Sequence, residues 1–448
     1  MFLKRKITEE LKKWLTTNKG LLVEGSRQVG KTYILDKFLK ENFENYSYVN
    51  LALNPRAAFS LAKATDYQNF LLRLSNIDNV ILKPGCVIFL DEIQEIYIKA
   101  RMLDNSQITI DPVSLLKDLV NNTNYRFVYS GSLLGIELYD VKSQPMGYCT
   151  IVKMYPMDFE EFLIANNVDE IIVKKIKESF IDKKSVEDFI HERILRLYHL
   201  YLLVGGMPEA VCKYLETNSL KEVEAVHKDI DLFVQKDLAK YANENEKLKI
   251  KEIYRLLPSE LNSHSKRFNL NDIDNIKRGD NIILSFAWLR DAGVAIPTYT
   301  CVSPSIPLRI NSDRTLLKLF HEDVGLLTYL LFDSSIKDQI LNGDLNINFG
   351  SIVENAAAMS LNSHGFNPLY YFNNKKIGEL DFVIEYKGSV LPIEIKSGKN
   401  YDRHLALNNI LDVPNYSFDE AYVFYNGNYI KKGKVDYFPI YMIDFLAR

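Results

Sequence analysis

The chain has 448 residues, enough for two to four compact domains. Hydrophobic residues make up 47% of it and charged residues 25%, a balance that excludes a disordered or fibrous protein. With 55 basic against 58 acidic side chains the net charge is −3, so no whole-chain field draws it to nucleic acid or an anionic membrane, and any such contact must be local.

At the amino terminus, Ile7, Leu11, Trp14 and Leu15 recur at helical spacing and predict an amphipathic helix that packs on a core. The surrounding charges exclude the apolar stretch of a signal peptide, and no run of about 18 apolar residues predicts a membrane span. The four cysteines lie far apart without a CxxC pair, which suits neither a zinc cluster nor a disulfide framework and fits a cytoplasmic protein.

Through residue 155, apolar runs at Leu21–Val23, Tyr48–Leu51, Val87–Leu90, Phe127–Tyr129 and Ile151–Met154 alternate with helix-like stretches, which predicts a parallel α/β sheet. Helical patterns dominate 156–245. One helix, Phe189–Val204, is expected to end at Gly205-Gly206, and another to start at Pro208, the first-turn position that proline tolerates. This stretch reads as a helical lid or linker. Residues 246–340 mix short helices with strand-like pieces at Val294–Ile296 and Leu308–Ile310, and read as a winged-helix-like unit with a helix-turn-helix-like pattern around Leu270 to Gly293. The remainder, 341–448, carries hairpin signals and reads as a separate α/β domain.

The motif with the most chemistry is Gly25-Ser26-Arg27-Gln28-Val29-Gly30-Lys31-Thr32, a GxxxxGK[ST] sequence set between a predicted strand and a predicted helix. Its glycines let backbone N–H groups turn toward phosphate oxygens at a helix N-terminus, where the partial charge is positive. Lys31 would reach the β- and γ-phosphates and Thr32 would hold magnesium. Val87-Ile88-Phe89-Leu90-Asp91-Glu92 is an apolar strand ending in two carboxylates, a Walker B pattern at the strand end where open sheets bind ligands. Asp91 would orient the magnesium and Glu92 would polarise the attacking water. A third strand, Arg126 to Tyr129, ends in Ser130-Gly131-Ser132; Ser130 is either a sensor of the γ-phosphate or lytic water, or an ordinary turn serine.

On these motifs the chain resembles the AAA+-like P-loop ATPases of bacteria and archaea, in the branch where GxRQVGKT, LDEIQ and SGS follow in this order. The resemblance implies ATP rather than GTP, with Mg2+, since no NKxD element stands in the expected place. Where such proteins often carry a glycine-arginine pair ahead of Pro156 and Phe159-Glu160-Glu161-Phe162, this chain has Gly147-Tyr148. Gly205-Gly206-Met207-Pro208-Glu209-Ala210 is similar to the GGxPxxV signature of the lid in the same branch; as a helix–helix turn or a nucleotide contact it has two readings.

Near the carboxyl terminus, Glu379–Ile384 and Leu391–Lys396 flank Tyr386-Lys387-Gly388-Ser389 and predict a hairpin. Alternation sends Leu380, Phe382 and Ile384, and likewise Leu391, Ile393 and Ile395, to one face, leaving Asp381, Glu394 and Lys396 together on the other. With Lys387-Gly388 as the turn, Asp381 lies opposite Glu394, Cβ atoms about 5 Å apart, a repulsion that a divalent cation would relieve. With Gly388-Ser389 as the turn, Asp381 faces Lys396 in an ordinary ion pair. Both registers are open to the sequence.

This segment resembles the restriction-endonuclease-like fold: Asp381, Glu394 and Lys396 match its D…ExK motif and Glu354 matches the helical acid upstream. The resemblance implies Glu354, Asp381 and Glu394 as ligands of a second Mg2+ or Mn2+, and Lys396 as a stabiliser of developing charge. Trp288-Leu289-Arg290-Asp291-Ala292-Gly293 and Lys318-Leu319-Phe320-His321-Glu322-Asp323-Val324-Gly325-Leu326 join the two parts as in one widespread prokaryotic family. From residue 341 onward ten Lys or Arg stand against twelve Asp or Glu, no basic excess for gripping a phosphate backbone. The expected function is a Mg2+-dependent ATPase coupled to a nuclease-like domain that acts on or binds DNA or RNA. The alternative is a nucleotide-switched scaffold whose endonuclease-like domain docks a protein partner. Either leaves room for oligomerisation.

Overall fold

The computed structural model describes residues 3–100, 111–131, 147–238, 244–262, 282–341, 349–398 and 400–448. The chain divides into two compact units, one formed by 5–155 with 291–293 and the other by 1–4, 156–290 and 294–448. Among the described residues no helix is long and apolar enough to cross a membrane.

In the first unit the apolar runs become β1 (Gly20–Gly25), β2 (Tyr46–Asn50), β3 (Val87–Asp91), β4 (Arg126–Gly131) and β5 (Cys149–Met154). All neighbouring pairs are parallel, in the order β2-β3-β4-β1-β5. Every residue of β3 is buried, as a strand covered on both faces requires, and Leu22, Ile88, Leu90, Phe127 and Tyr129 share a core with Leu61, Phe70 and Leu116 from the covering helices. The amphipathic first helix, Ile7–Leu15, buries Ile7, Leu11 and Trp14 as its spacing predicts. Because the strands are parallel, their carboxyl ends lie along one edge, and the order puts β4 between the strand that leads into the glycine-rich loop and the strand that carries Asp91.

The second unit combines a helical region with a mixed sheet. Helix Asp188–Val204 ends at Gly205, whose φ of 73° suits glycine, and helix Pro208–Thr217 starts on its proline. The added strands are β6 (Ala295–Cys301), β7 (Ser312–His321), β8 (Leu369–Asn374), β9 (Gly378–Tyr386), β10 (Ser389–Lys396), β11 (Ala421–Tyr425), β12 (Ile430–Lys432) and β13 (Val435–Pro439). They form an eight-stranded sheet in the order β12-β13-β11-β10-β9-β8-β6-β7. Helix Gly350–Ser363, buried along most of its length, packs across β6, β7, β8 and β10.

Two expectations about residues 246–340 are corrected by the structure. Residues 246–340 do not stand apart as a winged-helix-like unit: β6, buried at nearly every position, needs a partner on each edge and hydrogen-bonds antiparallel to β7 and parallel to β8. Of the helix-turn-helix-like pattern, residues 263–281 lie outside the described residues, and Ile282–Asp291 is a helix. Leu308–Ile310 is a turn rather than a strand, closed by Ile310 N–H on Pro307 O at 3.2 Å and Asn311 N–H on Leu308 O at 3.1 Å. Pro304 and Pro307, just ahead of that segment, lack the N–H groups a ladder would use.

Candidate functional site

The glycine-rich loop leaves β1 at Gly25 and enters helix Lys31–Asn42 through Gly30, whose φ is 92°. A side chain at Gly25 would press within 2.1 Å of the Met154 carbonyl oxygen of β5, so this close backbone approach admits glycine alone. Gln28 also takes a positive φ of 62°. From the first helix region, the Arg5 guanidinium donates to Val29 O at 2.9 Å and to Tyr155 O at 2.7 Å, fixing the loop from behind. Ser26 is buried, and a Cβ on Gly293 would meet its hydroxyl at 2.4 Å, so the 291–293 segment is packed against the same loop.

Lys31 is 6% exposed, and its ammonium donates to Gly25 O at 2.9 Å and Ser26 O at 2.8 Å. Burial pulls its pKa down to about 8, against the carboxylates of Glu92 and Asp91, which favour the charged form. Asp91, at the end of β3, is the hub. It accepts from Thr32 Oγ1 at 2.8 Å, from Tyr48 OH and Asn50 Nδ2 at 3.1 Å each, from the Glu92 N–H at 3.1 Å, and from Ser130 Oγ. Burial pushes the Asp91 pKa up, while the Ser130 hydroxyl bond works the other way. Such a carboxylate, dried and held from several sides, is aimed but still able to take a cation.

Glu92 has a φ of 58°, an uncommon conformation for a residue with a side chain and one that concentrates at functional positions. Gln94 holds its carboxylate, donating through Nε2 to Glu92 Oε2, while its own Oε1 is buried without a partner. Ser130 lies within β4, fully buried, rather than in a turn, and its hydroxyl is committed to Asp91. Ser132 lies outside the described residues. Sequence reasoning missed Arg5, Tyr48, Asn50 and Gln94; the last was visible in LDEIQ, whereas Tyr48 and Asn50 are brought in by the parallel sheet and Arg5 reaches the loop from ahead of the first helix.

In the second unit, the hairpin turns at Lys387-Gly388, with φ of 48° and 82°, and Tyr386 pairs with Ser389. The register runs to Phe382 opposite Ile393, and one step further sets Asp381 beside Glu394. There Asp381 Oδ2 accepts the Ile395 N–H at 2.8 Å, and Lys396 Nζ lies 2.6 Å from Glu394 Oε1. On the face carrying these charges Glu394 and Glu354 are buried, because helix Gly350–Ser363 lies over it. Burial first, then the Asp381 charge, pushes the Glu394 pKa up to about 8, and its Oε2 is buried without a hydrogen-bond partner.

A residue outside the predicted set joins them. Lys318 of β7, fully buried, lies 2.7 Å from Glu379 Oε1 and 4.9 Å from the ring centre of Tyr371. Burial opposes its charge, but Glu354, Glu379 and Asp381 outweigh that and raise its pKa. Among the described residues, the acids and histidines whose ligand atoms lie within 4.8 Å of one another are Asp158, His364 and Asp444; Glu354, Asp381 and Glu394 are not gathered that closely. The former group is a helix cap: Asp158 and Asp444 accept the Glu161 and Glu160 N–H groups, both at 2.9 Å, at the start of helix Phe159–Ala165.

Gly205-Gly206 is used for packing. The Gly206 N–H donates to Asp323 Oδ2 at 2.7 Å, Asp323 Oδ1 caps helix Val324–Leu331 through Leu326 N at 2.9 Å, and a Cβ on Gly325 would meet Gly205 N at 2.6 Å. The two glycine motifs singled out in the sequence are thus halves of one helix–helix clasp.

Residues 17–163 match the family described as AAA domain, and residues 195–337 and 349–443 match two domains of unknown function, DUF8612 and DUF4143. The last two meet between 337 and 349, whereas the sheet pairs strands from both sides of that interval. An uncharacterized protein of Methanocaldococcus jannaschii is 23% identical over 384 residues, 84% of this chain and 75% of that one. Among solved structures, a Walker-type ATPase of Pyrococcus abyssi is similar at 14% identity and a TM-score of 0.43, covering 73% of this chain and 96% of its own. The Aeropyrum pernix Orc1 protein, solved in complex with DNA, is similar at 12% identity and a TM-score of 0.30, covering 77% and 93%.

Proposed function

We propose that the chain is a magnesium-dependent, AAA+-like ATPase coupled to a nuclease-like domain that acts on or binds nucleic acid. The observation that carries the ATPase half is the 2.8 Å hydrogen bond from Thr32 to Asp91, which joins the first turn of the loop helix to the acidic strand end. Gly25, Ser26, Arg27, Gln28, Val29 and Gly30 supply the backbone cradle, and the ammonium of Lys31, now on the loop carbonyls, is the cation for phosphate oxygens. Thr32 and Asp91 would hold the magnesium. ATP would bring the phosphoanhydride, and magnesium held there would supply positive charge against the charge developing on its phosphate oxygens. Glu92, aimed by Gln94, orients and polarises the water. Ser130 keeps Asp91 in place, a positioning role that a direct sensor role does not require.

For the second unit, the order helix Gly350–Ser363, antiparallel β8-β9-β10, helix Leu405–Leu411 and then β11 parallel to β10 supports the restriction-endonuclease-like reading. Glu354, Asp381 and Glu394 would hold its Mg2+ or Mn2+, and the unpartnered Glu394 Oε2 is the feature that fits a cation. Lys396 would steady the charge of a cleaved phosphodiester. A second reading has its own observation: the Lys396–Glu394 and Lys318–Glu379 pairs already balance acids internally, as in a scaffold whose nuclease-like site is silent.

The deciding experiment is cleavage of single- and double-stranded DNA and RNA with Mg2+ or Mn2+, with and without ATP, by wild type, Glu394→Ala and Lys396→Ala. Cleavage by wild type that both variants lose is the expected result. ATP turnover that no nucleic acid accelerates, with no cleavage under any condition, would leave the scaffold reading standing instead.

A further inference from the structure

The polar layer beneath helix Gly350–Ser363 contains Glu354, Glu379, Asp381 and Glu394, and it contains Lys318, which comes from the strand at the far edge of the sheet and is fully buried. A buried ammonium loses several kcal/mol of hydration and persists only where opposite charge surrounds it. Here the surroundings are the Glu379 carboxylate at 2.7 Å, the face of Tyr371 at 4.9 Å and the fields of Glu354 and Asp381. β7 has no packing need for a charge at this place: Lys318 pairs with Thr298, which is also fully buried, and an aliphatic side chain would fill the same space.

We propose that Lys318 is the resident counter-cation of this acidic site, and that a hard divalent cation enters the site only in competition with it. The inference rests on the placement of the charges and holds whether or not the unit cleaves nucleic acid. Glu354 and Asp381 lie within the fields of both Lys318 and Lys396, Glu379 pairs with Lys318 and Glu394 with Lys396, so removing Lys318 deepens the existing excess of acids over bases around Glu354 and Asp381. Oxygen-only ligands with that excess select Mg2+ or Mn2+ over softer metals.

The test uses the full chain without nucleotide, carrying Asp91→Asn so that the loop site lacks the carboxylate that would hold a metal there. Mn2+ binding is read by the loss of its free electron paramagnetic resonance signal, and stability by thermal melting in EDTA and in Mn2+. Lys318→Met is expected to melt lower than its parent in EDTA, to recover with Mn2+, and to bind Mn2+ at least tenfold more tightly; adding Glu354→Gln should remove that gain. Equal or weaker Mn2+ binding by Lys318→Met would overturn the proposal, since the lysine would then assist the metal or be indifferent to it. Should Lys318→Met fail to fold in EDTA, its refolding in Mn2+ supports the proposal and its failure to refold in either condition overturns it.

Discussion

Two acidic strand ends, Asp91 on β3 and Glu394 on β10, meet the same problem by different means. At Asp91 the carboxylate is surrounded by neutral donors, the Thr32, Tyr48 and Ser130 hydroxyls, the Asn50 amide and the Glu92 N–H. Neutral donors steady a carboxylate without cancelling its charge, so the site keeps its attraction for a cation. At Glu394 the neighbours are charged: Lys396 at 2.6 Å on one oxygen, and Asp381 nearby, itself within the field of Lys318. Charged partners cancel what a metal would otherwise be drawn to. One site keeps its resident ammonium on the loop carbonyls and off the carboxylate, and the other pairs its ammonium directly with the acid.

The sharpest way to break that contrast is to remove a lysine from each site. Lys31→Ala deletes the cation held inside the loop and should weaken ATP binding at least about 100-fold by calorimetry, as expected when charged hydrogen bonds to phosphate are lost. Lys396→Ala should leave ATP binding and turnover unchanged. Loss of nucleotide affinity in the second variant would show that the sites are not independent.

Next in size is the split between binding and turnover within the first site. Glu92→Gln keeps shape and the Gln94 neighbour but cannot polarise water, so phosphate release should fall about 100-fold or more while ATP affinity stays near wild type. Normal turnover would remove Glu92 from its role and make the loop site a binding site only.

What the sequence made legible follows the same division. The loop site is local: Gly25 through Thr32 is continuous, and its backbone demands are written into the glycines, so spacing alone located it. Asp91 and Glu92 were found because a wholly apolar strand ended in them. Tyr48 and Asn50 were hidden because only the β2–β3 pairing, which sets Asn50 opposite Asp91, brings them there. In the second unit, the positive φ of Lys387 and Gly388 decides a register that composition left open between two turns. Alternation along β9 and β10 identified the right face but not its burial, since the covering helix lies about thirty residues away in the chain. Lys318 stood in a quoted motif with no sign of its role, because its acidic partners come from other strands and a helix.

A smaller effect tests how tightly the loop site is built. Gly293 has a φ of 65°, and a methyl group there would reach Ser26 Oγ at 2.4 Å. Strain of about 1–2 kcal/mol for a side chain in that conformation should make Gly293→Ala bind ATP about tenfold more weakly. Combining it with Ser26→Gly removes the clash and should restore part of the loss. No change in Gly293→Ala would mean that the loop yields freely.

The smallest effect concerns a second-unit group whose charge has no partner ready for it. His227 is buried and hydrogen-bonds the Val204 carbonyl at 3.0 Å, just before Gly205, and burial lowers its pKa to about 4. The unfolded chain, with an ordinary histidine pKa near 6.5, takes up a proton first as pH falls. The stability this neutral histidine provides is therefore present above about pH 6.5 and is lost progressively toward pH 4. Urea midpoints at pH 7.5 and 5.5 should show a fall for wild type that shrinks in His227→Gln, whose amide can still donate to Val204. An unchanged pH slope would shift the acid sensitivity to other groups, His321 first among them, since burial lowers its pKa to about 4 as well. Such sensitivity would mark the second unit as one that tolerates buried charge only where an opposite charge is already built in, as it is for Lys318.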